Sequence, residues 1–280
     1  MNDLEYPVYV ISKGRYRYTR NRMTWSFLKE EGIPFYLVVE PSEAGRYKEI
    51  HDNLLVLPED NYGFSTPARN FAWEHSIKMG YKAHFILDDN INRVSVVAKG
   101  KRKMVRISYL LEASLYVSKM YEKWGMIGFR EEQFMIEPQR RPITFNTHIY
   151  SFMLINNNLP FRWKLKYNED VDMNLKTIGN GFYTIQILVF TFHKYQTRLL
   201  KGGNTSTLYT QINSKVLKTN TLVAQYPHIV RGKNKFGRFH HEIDWKKFYS
   251  KPIKSDKYEE FREKLVKLYK DAIREAGYVF

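Results

Sequence analysis

His84-Phe85-Ile86-Leu87-Asp88-Asp89-Asn90 is the stretch on which the fold turns. Its first four residues make a short apolar run of strand length, and the run ends without a spacer in two carboxylates and an amide. Upstream, Thr66 to Met79 has the spacing of a helix, with Thr66 as N-cap and Pro67 at the first helical position. A proline there loses only an N–H that has no helical partner anyway, and Gly80 is the stop. Further upstream the pattern repeats. Pro7 to Ser12 and Phe35 to Val39 read as strands, with Thr19 to Glu31 a helix between them that stops at Gly32. Ser42 to His51 is a short helix, and Leu54 to Leu57 a third strand. That rhythm predicts βαβ units, hence an α/β fold with an open, mostly parallel sheet flanked by helices.

Downstream the rhythm loosens. Lys99 to Arg106 is basic, Tyr109 to Trp124 reads as a helix, Thr147 to Ile155 as a strand, Asn168 to Gly179 as a helix and Phe182 to Phe192 as a long strand. Lys201 to Thr207 (KGGNTST) is flexible by composition. It divides the chain into a core over 1–200 and a C-terminal extension over 201–280. The extension holds a basic, aromatic segment from Arg231 to Phe248 and an amphipathic helix from Lys257 to Ala276.

Composition narrows the classes. The 280 residues are 43% hydrophobic and 26% charged, a globular balance. No cysteine is present, which excludes a disulfide scaffold, a thiolate zinc site and a thiol nucleophile. The start lacks the pattern of a secretory signal, and no apolar run reaches membrane-spanning length. The expectation is a cytoplasmic protein with no membrane partner. Lys and Arg outnumber Asp and Glu by 45 to 29, a net charge of +16 that favours polyanionic partners, nucleic acid foremost.

Four features carry chemistry. In open α/β sheets, ligands bind beyond the carboxyl ends of the strands. Asp88, Asp89 and Asn90 there suit a hard, oxygen-liganded divalent cation that would neutralise a nucleotide's diphosphate; an ordinary polar turn would read the same way. The loop Asn61 to Ser65 feeds a helix N-terminus, a ready anion site, with Arg69 and Asn70 in its first turn. Glu169, Asp170 and Asp172 crowd a helix start, where the dipole offsets their repulsion. One of them is a candidate general base. His193, ending the long strand, is a candidate metal ligand or a structural histidine.

In that order and spacing these motifs resemble the GT-A glycosyltransferases of the family-2 type over roughly residues 6 to 195: Glu40 after the second strand, Ala68-Arg69-Asn70, Gly80, Leu87-Asp88-Asp89-Asn90 and Glu169-Asp170-Val171-Asp172. Within that superfamily the chain looks most like the TET/JBP-associated glycosyltransferases common in phages. The ISKGRY start, STPARN, LDDN, NEDVDM and FTFHK with its GGN loop carry that likeness. The resemblance implies a GT-A, Rossmann-like core and transfer of a sugar, glucose or a relative, from a UDP-sugar to 5-hydroxymethylcytosine or 5-hydroxymethyluracil in DNA. It implies donor contacts from Ser12, Lys13, Arg15, Glu40, Arg69, Asn70 and Asp88. Mn²⁺ or Mg²⁺ would be held by Asp88, Asp89 or Asn90 with His193. Asp170, or else Glu169, would be the base, and inversion would follow. The third position of the metal motif is Asn90 where the family has Asp, a weaker ligand. If the chain is phage-encoded, the compartment is the host cytoplasm.

A DNA acceptor agrees with the charge, since phosphates need Lys and Arg. Lys99, Lys101, Arg102, Lys103, Arg140, Arg141, Lys233, Lys235 and Arg238 are the candidates. Two other readings keep the motifs: a GT-A enzyme acting on a protein or polysaccharide, and a nucleic-acid-binding module with an inactive transferase core.

Overall fold

Asp88 ends a central strand of a ten-stranded sheet. The structure, a computed structural model, describes residues 4–19, 21–60, 65–135, 141–195, 200–203, 214–235 and 238–278. The strands are β1 (Val8–Ile11), β2 (Tyr36–Val39), β3 (Leu54–Val56), β4 (Ala83–Asp88), β5 (Ile91–Ala98), β6 (Lys101–Met104), β7 (Trp124–Glu131), β8 (Ile143–Phe145), β9 (Phe152–Asn156) and β10 (Tyr183–Lys194). Their order is β3-β2-β1-β4-β9-β7-β10-β5-β6, with β8 paired to β10. Seven of these (β1 to β4, β6, β7 and β10) run one way; β5, β8 and β9 run against them. The open, mostly parallel sheet expected from the sequence is therefore present. From β1 the chain winds outward to β2 and β3, then returns to place β4 on the other side of β1. The crevice at this switch point, beyond the strand ends, is where such sheets bind ligands.

Strand alternation divides the core into two layers. Phe85 and Leu87 face one cluster and Ile86 the other, all fully buried; each contributes about 1.5–3 kcal/mol by leaving water. The Phe85 layer is covered by α1 (Thr24–Glu30), α4 (Ile107–Met120) and α7 (Tyr258–Glu275). The opposite layer is covered by α3 (Ser65–Lys78) and α5 (Glu169–Gly179). A small helix, α2 (Ala44–Lys48), adds the buried Tyr47 beside β1.

The C-terminal region is built into this frame. Phe261, Leu265, Leu268, Ala272 and Ile273 of α7 enter the main core, and Glu275 accepts hydrogen bonds from Arg106 and from Tyr109 Oη at 2.8 Å. Helix α6 (Ser214–Gln225) and the hairpin of β11 (Val230–Lys235) and β12 (Arg238–Ile243) pack on α5 through Leu222, Val230, Val171 and Leu175. No helix among the described residues is long and apolar enough to cross a membrane.

The departures from the sequence reading are local. The strand read at Thr147 to Ile155 begins only at Phe152, because Ser151 takes a left-handed φ of 61° that no strand tolerates. The basic stretch after Lys99 contains edge strand β6, whose lysines discourage pairing with another sheet. Strand β7 lies where the sequence pattern assigns no element, and the helix expected to run to Trp124 ends at Met120. Helix α3 starts at Ser65, one residue earlier than read, which leaves Pro67 in the first turn, where its N–H is not needed.

Candidate active site

One cleft of about 290 Å³ opens at the switch point. Its floor is the turn after β1 together with the end of β4. Ser12 donates to Asp89 Oδ2 at 2.6 Å and lies 2.6 Å from Tyr47 Oη, which accepts from the Arg15 backbone N–H at 3.0 Å. The Arg15 guanidinium pairs with Asp89 Oδ1. Burial pushes the Asp89 carboxyl up, against the pull of Arg15 and Ser12. Lys13 pairs with Glu40 at 2.6 Å on the near wall.

The turn is also locked by residues that follow β10. The Gly203 backbone N–H donates to Lys13 O at 2.7 Å. Gly202 has φ +92°, and a Cβ there would meet Gly14 O at 2.7 Å. Residues 201–203 of the stretch read as a flexible boundary thus close onto the cleft; 204–207 lie outside the described residues, as do 61–64 of the Gly-containing loop.

The N-terminal turn of α3 forms the opposite wall. Arg69, 5% exposed, donates to Asp88 Oδ1 at 3.2 Å, lies 3.9 Å from Glu169 Oε1 and rests on the Trp163 ring. Its Nε and Nη1 are buried with no hydrogen-bond partner among the described residues. Asn70 does not line the cleft: its amide clamps the Trp163 backbone through two hydrogen bonds, at 2.9 and 3.1 Å. Ser65 donates to Glu169 Oε1 at 2.6 Å, tying α3 to α5.

Next to α3, α5 presents Glu169 and Asp170, both lining the cleft. Burial and the neighbouring Asp170 charge push Glu169 up, against Arg69. Burial also opposes ionisation of Asp170, but His148 and Arg69 outweigh it and hold this carboxyl well below the usual range. His148 Nε2 donates to Asp170 Oδ2 at 3.0 Å, and the Val171 N–H donates to Oδ1 at 2.9 Å. The His148 ring is stacked between Tyr150 and Trp245, with centroids 4.9 and 5.9 Å away. Asp172 is fully buried and turned away, paired with Lys176 at 2.7 Å and accepting from Tyr226 Oη at 2.6 Å.

The fourth side belongs to Lys194 on β10. A β-bulge separates it from His193, and such bulges re-aim side chains beside sites. Lys194 Nζ donates to Ser151 Oγ at 2.7 Å, and Ser151 donates in turn to Asp88 Oδ2 at 2.6 Å. Lys194 Nζ lies 3.8 Å from Asp88 Oδ2 and above the Tyr150 ring. Ser151 holds this place in its strained left-handed conformation, a common signature of functional positions.

Geometry tests the expected cation ligands. Both oxygens of Asp88 are engaged by Arg69 and Ser151, and both of Asp89 by Arg15 and Ser12. Asn90 lines the cleft; its amide nitrogen donates to Tyr195 O at 3.0 Å, and its Oδ1 is the atom a cation would take. His193 Nδ1 lies 2.7 Å from Asn92 Oδ1 and is not part of the lining. Among the described residues no three His, Asp or Glu side chains gather in one cluster. The two carboxylates, each already bound to a protein cation and a hydroxyl, are a poor fit to a divalent ion.

The basic candidates scatter. Lys101, Arg102 and Lys103 lie on β6 at the sheet edge. There Arg102 donates to Glu132 O at 3.1 Å, and Lys103 to Gly277 O at 3.0 Å. Arg141 is exposed, and Arg140 lies outside the described residues. On the hairpin, the register puts Arg231 opposite Glu242 and Lys233 opposite His240; Lys235 pairs with Arg238 at its end, and the side chains of those two are outside the described part. Lys233 pairs with Glu242 at 3.6 Å.

Sequence reasoning missed His148, Tyr150, Ser151, Lys194, Lys166 and Lys218, all lining or flanking the cleft. Lys166 sits just before the Asn168 helix start, and Lys194 is next to His193, the candidate ligand. A family model described as TET-Associated Glycosyltransferase matches residues 6–204. No curated protein matches the chain.

Proposed function

The chain belongs to the TET-associated glycosyltransferase family, and on that premise we propose that it moves a sugar, glucose or a relative, from a UDP-sugar to the hydroxyl of a hydroxymethylated pyrimidine in DNA. That it is a glycosyltransferase follows from the family; the donor, the acceptor and the residue roles are our reading. One observation carries it. The carboxylates of Glu169 and Asp170 line the same cleft as the β1 turn, Asp88 and Arg69. A donor held in that cleft thus has a base within it.

In this reading the nucleoside lies against Ser12 to Arg15 and Glu40, and the sugar lies between Asp88 and α5. Asp170 stays ionised through the neutral range because His148 and Arg69 hold its carboxyl low. It takes the proton of the acceptor hydroxymethyl group as that oxygen bonds to the anomeric carbon. The bond from that carbon to the diphosphate oxygen breaks, and its electron pair leaves with the diphosphate. Attack from the face opposite the leaving group inverts the centre, as in single-displacement glycosidases.

A base inside a duplex is out of reach and has to be extruded. The Tyr150–His148–Trp245 stack beside Asp170 supports this, since an extruded ring gains by stacking on aromatic faces. The basic hairpin packed over α5 supports a phosphate track next to it.

The test is transfer of labelled sugar from a panel of UDP-sugars to DNA containing 5-hydroxymethylcytosine or 5-hydroxymethyluracil, with unmodified DNA as control. Label in modified DNA alone is expected. Label in a protein or glycan and in no DNA would overturn the acceptor. Asp170→Asn is expected to lose about 10²–10⁴-fold in kcat, the range for a general base, with UDP binding retained.

A further inference from the structure

We propose that Arg69 and Lys194 carry the charge of the leaving diphosphate in place of a divalent cation, so that sugar transfer proceeds with metal removed. The inference rests on the donor reading above and goes beyond it, because the resemblance implies a metal.

Three observations converge. The two carboxylates of the expected metal motif have every oxygen engaged: Asp88 by Arg69 at 3.2 Å and Ser151 at 2.6 Å, and Asp89 by Arg15 and by Ser12 at 2.6 Å. A cation entering here would have to strip these donors and would meet the Lys194 ammonium, 3.8 Å from Asp88 Oδ2. Arg69 meanwhile is buried in the cleft wall with Nε and Nη1 unpartnered among the described residues. Burying guanidinium N–H groups unpaired is costly, and an anionic ligand is the chemistry that offsets it. The third observation is the aim of Lys194. The bulge between His193 and Lys194 separates the two side chains, so the ammonium lines the cleft and the imidazole turns to Asn92.

A guanidinium and an ammonium on either side of Asp88 thus supply fixed positive charge at the end of β4. The N-terminal turn of α3 adds its dipole from the Arg69 side. As the anomeric carbon–oxygen bond breaks, the electron pair moves onto the diphosphate oxygen. Lys194 and Arg69 donate hydrogen bonds to that growing charge, while the acceptor proton goes to Asp170. Preorganised donors of this kind act on the transition state more than on the bound donor.

The experiment is the transfer assay on full-length protein, with EDTA and with added Mg²⁺ or Mn²⁺, for wild type, Lys194→Met and Lys194→Arg. Expected are wild-type rates within twofold in EDTA, a loss of about 10²–10³-fold in kcat for Lys194→Met and a smaller loss for Lys194→Arg, with the donor KM little changed. Wild-type activity abolished by EDTA and restored by Mn²⁺ overturns the inference, as does a Lys194→Met rate within twofold of wild type. If wild type transfers no sugar under any condition, the donor–acceptor reading falls, and binding of UDP in EDTA decides this inference by itself. Metal-free binding that weakens at least tenfold in Lys194→Met supports it, whereas binding that appears only with metal, or is unchanged in the variant, refutes it.

Discussion

Replacing His148 with alanine isolates what keeps Asp170, the proposed base, ionised. Burial alone would favour the protonated acid, yet the carboxyl lies well below its usual range because His148 and Arg69 favour the charged form. His148 supplies a hydrogen bond of 3.0 Å to Oδ2, and the Val171 N–H on Oδ1 remains in the variant. A hydrogen bond to a charged group is worth about 1.5–3 kcal/mol, and one pKa unit is about 1.4 kcal/mol. The Asp170 pKa should therefore rise by about one to two units. The sign is fixed: a depressed carboxylate acts as base at all pH above its folded pKa and fails as pH falls through it. The acidic limb of kcat/KM, which reports the free enzyme, should move up by the same amount in His148→Ala while the neutral plateau persists. Stability follows the same sign. The variant should be less stable at pH 7, by less than the full figure because Asp170 is 26% exposed, and the gap should narrow as pH falls below about 3.9. An acidic limb that does not move would show that His148 packs between rings without acting on Asp170.

Three further outcomes are expected. Arg15→Met strips the buried Asp89 of its ion-pair partner, so urea unfolding should show a loss of about 3–5 kcal/mol. Gly202→Ala forces a Cβ to within 2.7 Å of Gly14 O at φ +92°; about 1–3 kcal/mol of strain should appear as a lower melting temperature and as weaker UDP binding through the displaced β1 turn. Arg231→Ala with Lys233→Ala should weaken DNA binding at all sequences alike, and reduce the salt slope by about one per lost phosphate contact, leaving UDP binding unchanged.

The first half of the fold was legible because its signals are local and agree with one another. β4 is a continuous apolar run because both its faces are buried. Gly32 and Gly80 stop helices with positive φ, as read. What failed needed information that is not local. β7 carries Gly125 and Gly128, weak strand formers that are there because a Cβ at Gly128 would strike Ile149 and Phe152 O. The strand read at Thr147 to Ile155 has suitable composition, but its first half bends to deliver His148 and Ser151 to the cleft. The conflict between local pattern and backbone thus falls where the chemistry lies, as expected where function overrides propensity.

The site divides along the same line. Asp88, Arg69, Glu169 and Asp170 were legible because each sits at a strand end or in a helix's first turn, places that sequence marks with glycine, proline or a cap. His193 and Lys194 could not be told apart, because neighbours on a strand point to opposite faces. Which of them reaches the ligand depends on Asn92, the extra residue that β5 inserts across from this pair. Asn92 takes the imidazole, and the lysine goes to the cleft. Hence a single inserted residue on one strand decides which side chain of the neighbouring strand lines the cleft, and in the proposed reaction how the charge of the leaving group is met. Asn92→Ala is the smallest change that probes this. It frees His193 Nδ1 without touching Lys194, so it should leave EDTA-resistant transfer intact if the bulge alone aims the lysine. If the hydrogen bond from His193 does the aiming, Asn92→Ala should lower kcat toward the Lys194→Met value.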